Sequence, residues 1–435
     1  MKYKRILFYA VLAVFIFGAA SVCASDMNDA VIASEDDSTF ELSQEDTGEM
    51  ISSEEDEIIG QTENDELVSE ENSGTFAELQ ANITAAKPGS TLTLNKNYEW
   101  ESGFDIEGIR IDKSITIDGN GSKIDAHGNS RIFKITADNV ILKNIIFTNG
   151  KTTENGGTVY FEKSGNVTNC NFINNNGGGA VFFAGKGEVA NCNFADNYAT
   201  YGGAVYFSDS GTVANCNFTR NSASKNGGVV YFQNTGVVRN CNFKNGASKN
   251  NGGSVFFEKS GKLTNCNFTD SAASNTGGAV FFSGLGTVAN CSFVDNIATG
   301  DYSYGGAVFF SGDGDVTNCN FTGNTAKMGN AIYISNHGTI SDCDFTTNPI
   351  TDGAIHSVTG DIVLSDNVLN VDDTVKDRNF TEIQKLIDAA NDGDEISIDG
   401  LYAGFGIPIR ITKSLTLIGQ NNAILDAKNY QKYCI

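Results

Sequence analysis

A cysteine recurs between the same neighbours along this chain: "NCNF" occurs six times between Asn169 and Phe321, with "NCSF" at Asn290–Phe293 and "DCDF" at Asp342–Phe345. The thiols are Cys170, Cys192, Cys216, Cys241, Cys266, Cys291, Cys319 and Cys343, spaced 22, 24, 25, 25, 25, 28 and 24 residues apart. Thiols can hold a metal, pair as disulfides or pack as small apolar groups. The spacing is unlike a CxxC zinc site. Among the acids, Asp270 and Asp295 occupy equivalent places in successive repeats, where they could share a calcium, and "SGDGD" (Ser311 to Asp315) has the look of a weak cation loop. Both also read as solvated turns. The histidines, His127, His337 and His356, fall in unrelated parts of the repeat, and no nucleophile and base can be paired. These residues assign no catalytic group, no metal and no cofactor.

The elements carrying the cysteines repeat with a period of about 25 residues. "GGAVYFSDSGTVANCNFTRN" (Gly202 to Asn221) is one unit. Val205 and Phe207 alternate with Tyr206 and Ser208, the period of a strand with one buried side. Val213 and Cys216 cannot share one face of a straight strand, so the chain must bend between them, at Asn215. Cys216 and Phe218 resume the alternation on a third strand. Three short strands per unit predict an all-β fold, a right-handed parallel β-helix (solenoid) whose coils stack about 4.8 Å apart. Stacking superposes equivalent residues. Asn144, Asn169, Asn191, Asn215, Asn240, Asn265, Asn290, Asn318 and Asp342 then form a ladder at the bend. Asparagine tolerates the left-handed backbone needed there, and its amide can bond to the amides above and below. The cysteines form the next inward column. Ile145 stands in their place one coil earlier, which favours packing over chemistry. Parallel neighbours in one column hold their Cβ atoms further apart than the roughly 3.8 Å a bridge prefers. Disulfides or a bound metal are the alternatives to buried thiols.

Residues 1–24 read as an export signal: the positive "MKYKR", an apolar run from Ile6 to Val22, and small residues at Val22-Cys23-Ala24. A lipid-anchoring role for Cys23 is the weaker alternative. Residues 25–74 carry 18 Asp or Glu and no Lys or Arg, the composition of a disordered acidic stalk. The net charge of -24 argues against nucleic acid as a partner. No later stretch is apolar for long enough to span a membrane. Residues 75–137 read as a capping module, a short N-terminal helix with the opening strands; 138–370 hold the repeats; and 371–435 are a second copy of the module. "FTEIQKLIDAANDGDEISI" (Phe380 to Ile398) repeats the apolar pattern of "FAELQANITAAKPGSTLTL" (Phe76 to Leu94). The second copy either opens a further β-helix that is cut short or serves as a C-terminal cap.

Between the inward Val and Phe of each first strand stands an aromatic residue that alternation points outward: Tyr160, Phe182, Tyr206, Tyr231, Phe256, Phe281, Phe309 and Tyr333. Eight rings make a stripe of about 34 Å. It reads as a docking surface for sugar rings or protein, or else as rings that merely stabilise neighbouring strands. The loop "TGDYSYGG" carries three extra residues, so Asp301, Tyr302 and Tyr304 are expected to project beyond the coils. Eight Asn-x-Ser/Thr sites (Asn82, Asn120, Asn166, Asn217, Asn267, Asn290, Asn320 and Asn379) are available after export.

The pairing of "GGAV" with "FxxN" ("FINN", "FADN", "FTRN", "FVDN", "FTGN", "FTTN") resembles the polymorphic outer-membrane protein repeat, shared with large adhesin-like proteins of methanogenic archaea. The two capping modules resemble those of the same archaeal proteins. Two units depart from the pattern, with "FKNG" and "FTDS". The resemblance implies a secreted or cell-surface β-helix with a role in cell adhesion, non-catalytic, binding extracellular glycans or surface proteins of other cells. A monomer, with no membrane span apart from the N-terminal signal or anchor, is expected. The alternative is a polysaccharide-active enzyme, pectate-lyase-like or a glycosidase, since such enzymes are also built on parallel β-helices.

Overall fold

Alternating Val and Phe in short segments, punctuated by Gly and Asn, leave the chain no way to bury its apolar residues except by stacking copies of itself. In the computed structural model it does so as a right-handed parallel β-solenoid. The structure describes residues 73–347, 353–358, 362–365, 367, 378–403 and 409–426. Residues 1–24, read above as an export signal, and nearly all of residues 25–74, read as an acidic stalk, lie outside them.

Within the described residues the coils form three long parallel sheets of 11, 12 and 12 strands, each strand pairing with its equivalents one repeat before and after. In the coil that begins at Gly202, the first face holds Val205–Phe207, the second Gly211–Ala214 and the third Asn217–Thr219. A fourth, two-residue strand at Ser222–Ala223 belongs to a seven-stranded sheet. Three strands per coil are expected from the periodicity; this short fourth one is not, because two residues are too few to show alternation. Register is strict: Val205, Tyr206 and Phe207 lie over Val181, Phe182 and Phe183.

The lumen is filled by columns. Val and Phe of the first face, Val of the second, and Cys and Phe of the third are buried. The inner rings stack nearly parallel, as in Phe207–Phe232 at 4.9 Å and Phe243–Phe268 at 4.6 Å. Each buried ring contributes about 1.5–3 kcal/mol from area alone. The same rings explain why the second-face strands from Gly165–Thr168 to Gly314–Thr317 open on glycine. A Cβ at Gly211 would lie 2.2 Å from the Phe207 ring, and one at Gly187 would lie 2.3 Å from Phe183.

One end of the stack is closed by helix α1 (Phe76–Ala85), which buries Phe76, Leu79 and Ile83. Its N-terminus is held by the Thr75 hydroxyl and by the Glu101 carboxylate, which accepts from the Phe76 and Ala77 amides at 2.9 Å. Lys113 donates to the Thr84 and Ala86 carbonyls at the other end. The Gln80 side chain bonds both the N–H and the C=O of Arg110, supplying what a further strand would give the edge strand Ile109–Ile111. The same clasp recurs around helix α2 (Phe380–Ala389). Gln384 bonds the N–H and C=O of Arg410, and Lys413 donates to the Ile387, Asp388 and Ala390 carbonyls. The second module thus carries the same capping chemistry, around its own core of Phe380, Ile383, Ile387, Ile396 and Ile398.

Candidate binding faces

The bend residues behave as their type demands. Asn169, Asn191, Asn215, Asn240, Asn265, Asn290, Asn318 and Asp342 all have φ between 52° and 55°, a left-handed backbone that asparagine and aspartate tolerate. From Asn191 to Asn318 the side chains are linked: Asn215 donates to Asn191 at 3.1 Å, Asn240 to Asn215 at 3.0 Å, Asn265 to Asn240 at 3.1 Å, Asn290 to Asn265 at 3.1 Å and Asn318 to Asn290 at 2.8 Å. Directly inside them the eight described cysteines are buried and free. The Cys216 thiol contacts the Ala214 carbonyl at 3.2 Å and accepts the Cys192 amide at 3.4 Å. Burial pushes the Cys192 thiol above its ordinary value.

Two further asparagine columns escape the sequence reading. The outer one is the second Asn of "NCNF". Asn193 donates to Asn171 at 2.9 Å, Asn217 to Asn193 at 3.0 Å, Asn242 to Asn217 at 2.9 Å and Asn267 to Asn242 at 2.8 Å. The strand alternation that points Phe218 inward points Asn217 outward, so the signal was present in the motif itself. The inner column is the Asn of "FxxN". Asn221 is fully buried, donates to the Phe194 carbonyl at 2.9 Å and accepts from the Asn197 amide side chain at 2.8 Å. Where the motif fails, a hydroxyl and a larger neighbour occupy the gap. Ser254, standing where other units have Ala, bonds Ser271 at 2.8 Å, and Val229 crowds the space beside Gly246.

The aromatic row is present but is not a solvent-facing stripe. Phe182, Tyr231, Phe256, Phe281, Phe309 and Tyr333 are 5–9% exposed, and Tyr160 and Tyr206 are half-buried. From Phe182 onward the rings stack on one another, at 4.7 Å for Phe182–Tyr206 and 5.1 Å for Tyr231–Phe256, and His356 continues the stack beyond Tyr333 at 4.8 Å. Tyr201, Tyr304 and Met328 pack on the row. The turn glycine Gly227 runs beside it, so close that a Cβ there would lie 3.1 Å from that of Phe256. Alternation points these rings away from the lumen, but in-register stacking covers both faces of each ring, leaving none for a sugar. Burial and then the Glu258 carboxylate push Tyr206 up to about 12. In the loop, Asp301 and Tyr302 project as expected, with Tyr302 78% exposed and Asp301 paired to Lys327 at 3.2 Å. Tyr304 does not: it folds back to within 4.9 Å of the Tyr333 ring.

Charged and concave features remain. At the N-terminal end of the first face, buried Arg131 donates to the Gly156 and Asn155 carbonyls and to Glu107 at 2.9 Å. The Lys134 ammonium, 2.7 Å away, followed by Arg131, holds the Glu107 carboxyl below its ordinary value. These partners leave the cluster internally neutralised. Along the glycine column runs a shallow trench of about 630 Å³, lined by Ser164, Asn166, Lys186, Glu188, Ser210 and Thr212 among others. Asp270 and Asp295 sit at equivalent left-handed turns, with φ of 54° and 53°. Among the described residues no group of three or more His, Cys, Asp or Glu is placed to hold a metal, and no helix is long and apolar enough to cross a membrane.

Continuous ladders on a stacked coil define a parallel β-solenoid that presents long, regular outer faces. Residues 107–247 and 203–369 match the right-handed beta helix region family, together more than half of the 435-residue chain, and the chain belongs to that family. No curated protein matches it.

Proposed function

We propose that this protein is an adhesin-like β-helix of the kind carrying polymorphic outer-membrane protein repeats, as in archaeal surface proteins. It is exported to the cell surface or secreted, and it binds glycans or surface proteins of other cells through its outer face without catalysing a reaction. The observation that supports this most is the pair of exposed asparagine columns on the third face. Amides do not titrate and cannot serve as general acids or bases, but identical donors and acceptors at constant spacing suit a multivalent, repetitive partner. The "MKYKR" signal and the acidic stalk support export and display away from the membrane. A glycan array and a cell-attachment assay with the purified full chain test the reading; no retention on either would end it.

The fold also admits a polysaccharide-active enzyme, and the trench along the glycine column is the feature that favours it. Lyase and hydrolase assays on plant and host polysaccharides, with and without calcium, separate the two. Turnover abolished by substitutions in the trench would establish the enzyme.

A further inference from the structure

We infer that the third face binds an extended, uncharged polysaccharide lying along the solenoid axis, about one sugar per coil; this rests on the glycan-binding reading above. Three observations carry it. The first is the inventory of hydrogen-bonding groups. Each link in the two columns uses one of the two protons of an amide and one lone pair of the next, as in Asn217 to Asn193 at 3.0 Å and Asn242 to Asn217 at 2.9 Å. The exposed amide keeps a second N–H and a second acceptor site. A sugar hydroxyl, donor and acceptor at once, complements that pair.

The second is charge. Among the outward strand positions of this face from Asn171 to Thr322, Lys244 alone is charged, in a chain of net charge -24. Ile173, Ala195, Thr219, Thr269, Val294 and Thr322 fill the rest of its column. At the turns bordering these strands Arg220 is paired with Asp196, and Asp270 and Asp295 are acidic. The face thus has no basic row, and a uronate or sulfated polymer would find no run of counter-charges for its repeating anions, whereas a neutral chain needs none.

The third is spacing and rigidity. The Phe column beneath the same strands repeats at 4.6 to 5.1 Å, and an extended β-1,4-linked hexose chain advances by nearly that interval per sugar, with alternate sugars turned over. Each coil from Asn171 to Asn267 therefore offers an amide to one sugar, and because an amide both donates and accepts it can meet either edge of the alternating sugars. The amides are already immobilised by their neighbours, so binding forfeits little rotamer entropy. Single contacts of this kind are weak, and a polymer spanning several coils adds them within one encounter.

The test uses the full chain made in a bacterial host that does not N-glycosylate, because Asn217, Asn267, Asn290 and Asn320 are glycosylation sequons on this same face. Co-sedimentation with insoluble cellulose and chitin is measured beside retention on immobilised polygalacturonate. We expect binding to a neutral polymer and not to polygalacturonate. Replacing Asn217→Thr, Asn242→Thr and Asn267→Thr together should weaken it about tenfold or more. Lys262→Ser, Thr287→Ser and Thr317→Ser on the second face should change it less than about twofold. Far-UV circular dichroism checks that both variants are folded. In the unmodified chain, cellulose or chitin should slow acetylation of Lys244 and not of Lys262, which needs no variant. Failure to bind any polysaccharide, cell or surface protein overturns this inference and the proposed function together. Attachment to cells or to polygalacturonate without binding to cellulose or chitin overturns the inference alone. Neutral-polymer binding that survives the third-face triple, or leaves Lys244 unprotected, overturns the assignment to this face.

Discussion

Asn221 shows how much one buried amide holds in this protein. It accepts from both the backbone and the side chain of Asn197 and donates to the Phe194 carbonyl, so its removal orphans groups in the adjoining coil. Asn221→Ala should cost about 1–3 kcal/mol, read as a lowered denaturation midpoint, whereas Asn217→Ala on the exposed face should cost less than about 1 kcal/mol. The cysteines make a second test. All eight described thiols are buried and free. A thiol-specific reagent should leave Cys170 through Cys343 unmodified in the native chain, and they should react together on unfolding. Rapid native modification of the column would contradict the packing described.

The aromatic row belongs to the coil as an element, and its burial changes what its removal should do. Replacing Tyr206, Tyr231 and Phe256 together with Ser should strip three stacked rings and destabilise the solenoid by on the order of 3 kcal/mol per ring. The readout is a large drop in melting temperature, in contrast to a docking stripe, whose loss would spare the fold. Tyrosine titration supplies an independent check. Tyr206 is raised to about 12 by burial first and then by the Glu258 carboxylate. Tyr231 is raised as well, by burial and then by its hydrogen bond to Glu258. An unfolded tyrosine ionises near about 10. The unfolded chain therefore loses these protons first, so their contribution to stability is complete below about pH 10 and is lost as pH rises through the folded-state value. Absorbance at alkaline pH should show these tyrosinates forming only as the chain unfolds.

Across the molecule, a solenoid is limited by its ends. Helix α1 closes one of them with Phe76, Leu79 and Ile83, and Gln80 satisfies the edge strand Ile109–Ile111. Leu79→Asp should lift the helix and bare that edge, giving concentration-dependent association in analytical ultracentrifugation. Association unchanged from the unmodified chain would show that the helix is dispensable as a cap. Recurrence of the Gln and Lys contacts around α2 marks the second module as the same device. The "FAELQ" and "FTEIQ" segments already pair Gln80 with Gln384 in the sequence.

The coil, its bend and the inward columns were legible in the sequence because they follow from local rules. Alternation fixes which residues of a strand share a side, asparagine favours the left-handed bend, and a 25-residue repeat leaves stacking as the one way to bury Val, Phe and Cys. The exposed face of "NCNF" was legible by the same alternation, although the motif was read for its cysteine. What tertiary structure alone decided is the fate of everything that points outward. Tyr206 and Asn217 both leave the lumen, yet Tyr206 is half-buried between stacked rings while Asn217 stands exposed. Alternation assigns a direction, not an environment. Exposure depends on residues remote in sequence: Tyr201, Tyr304 and the glycine turns of neighbouring coils, which fold over the aromatic row and leave the asparagine face open.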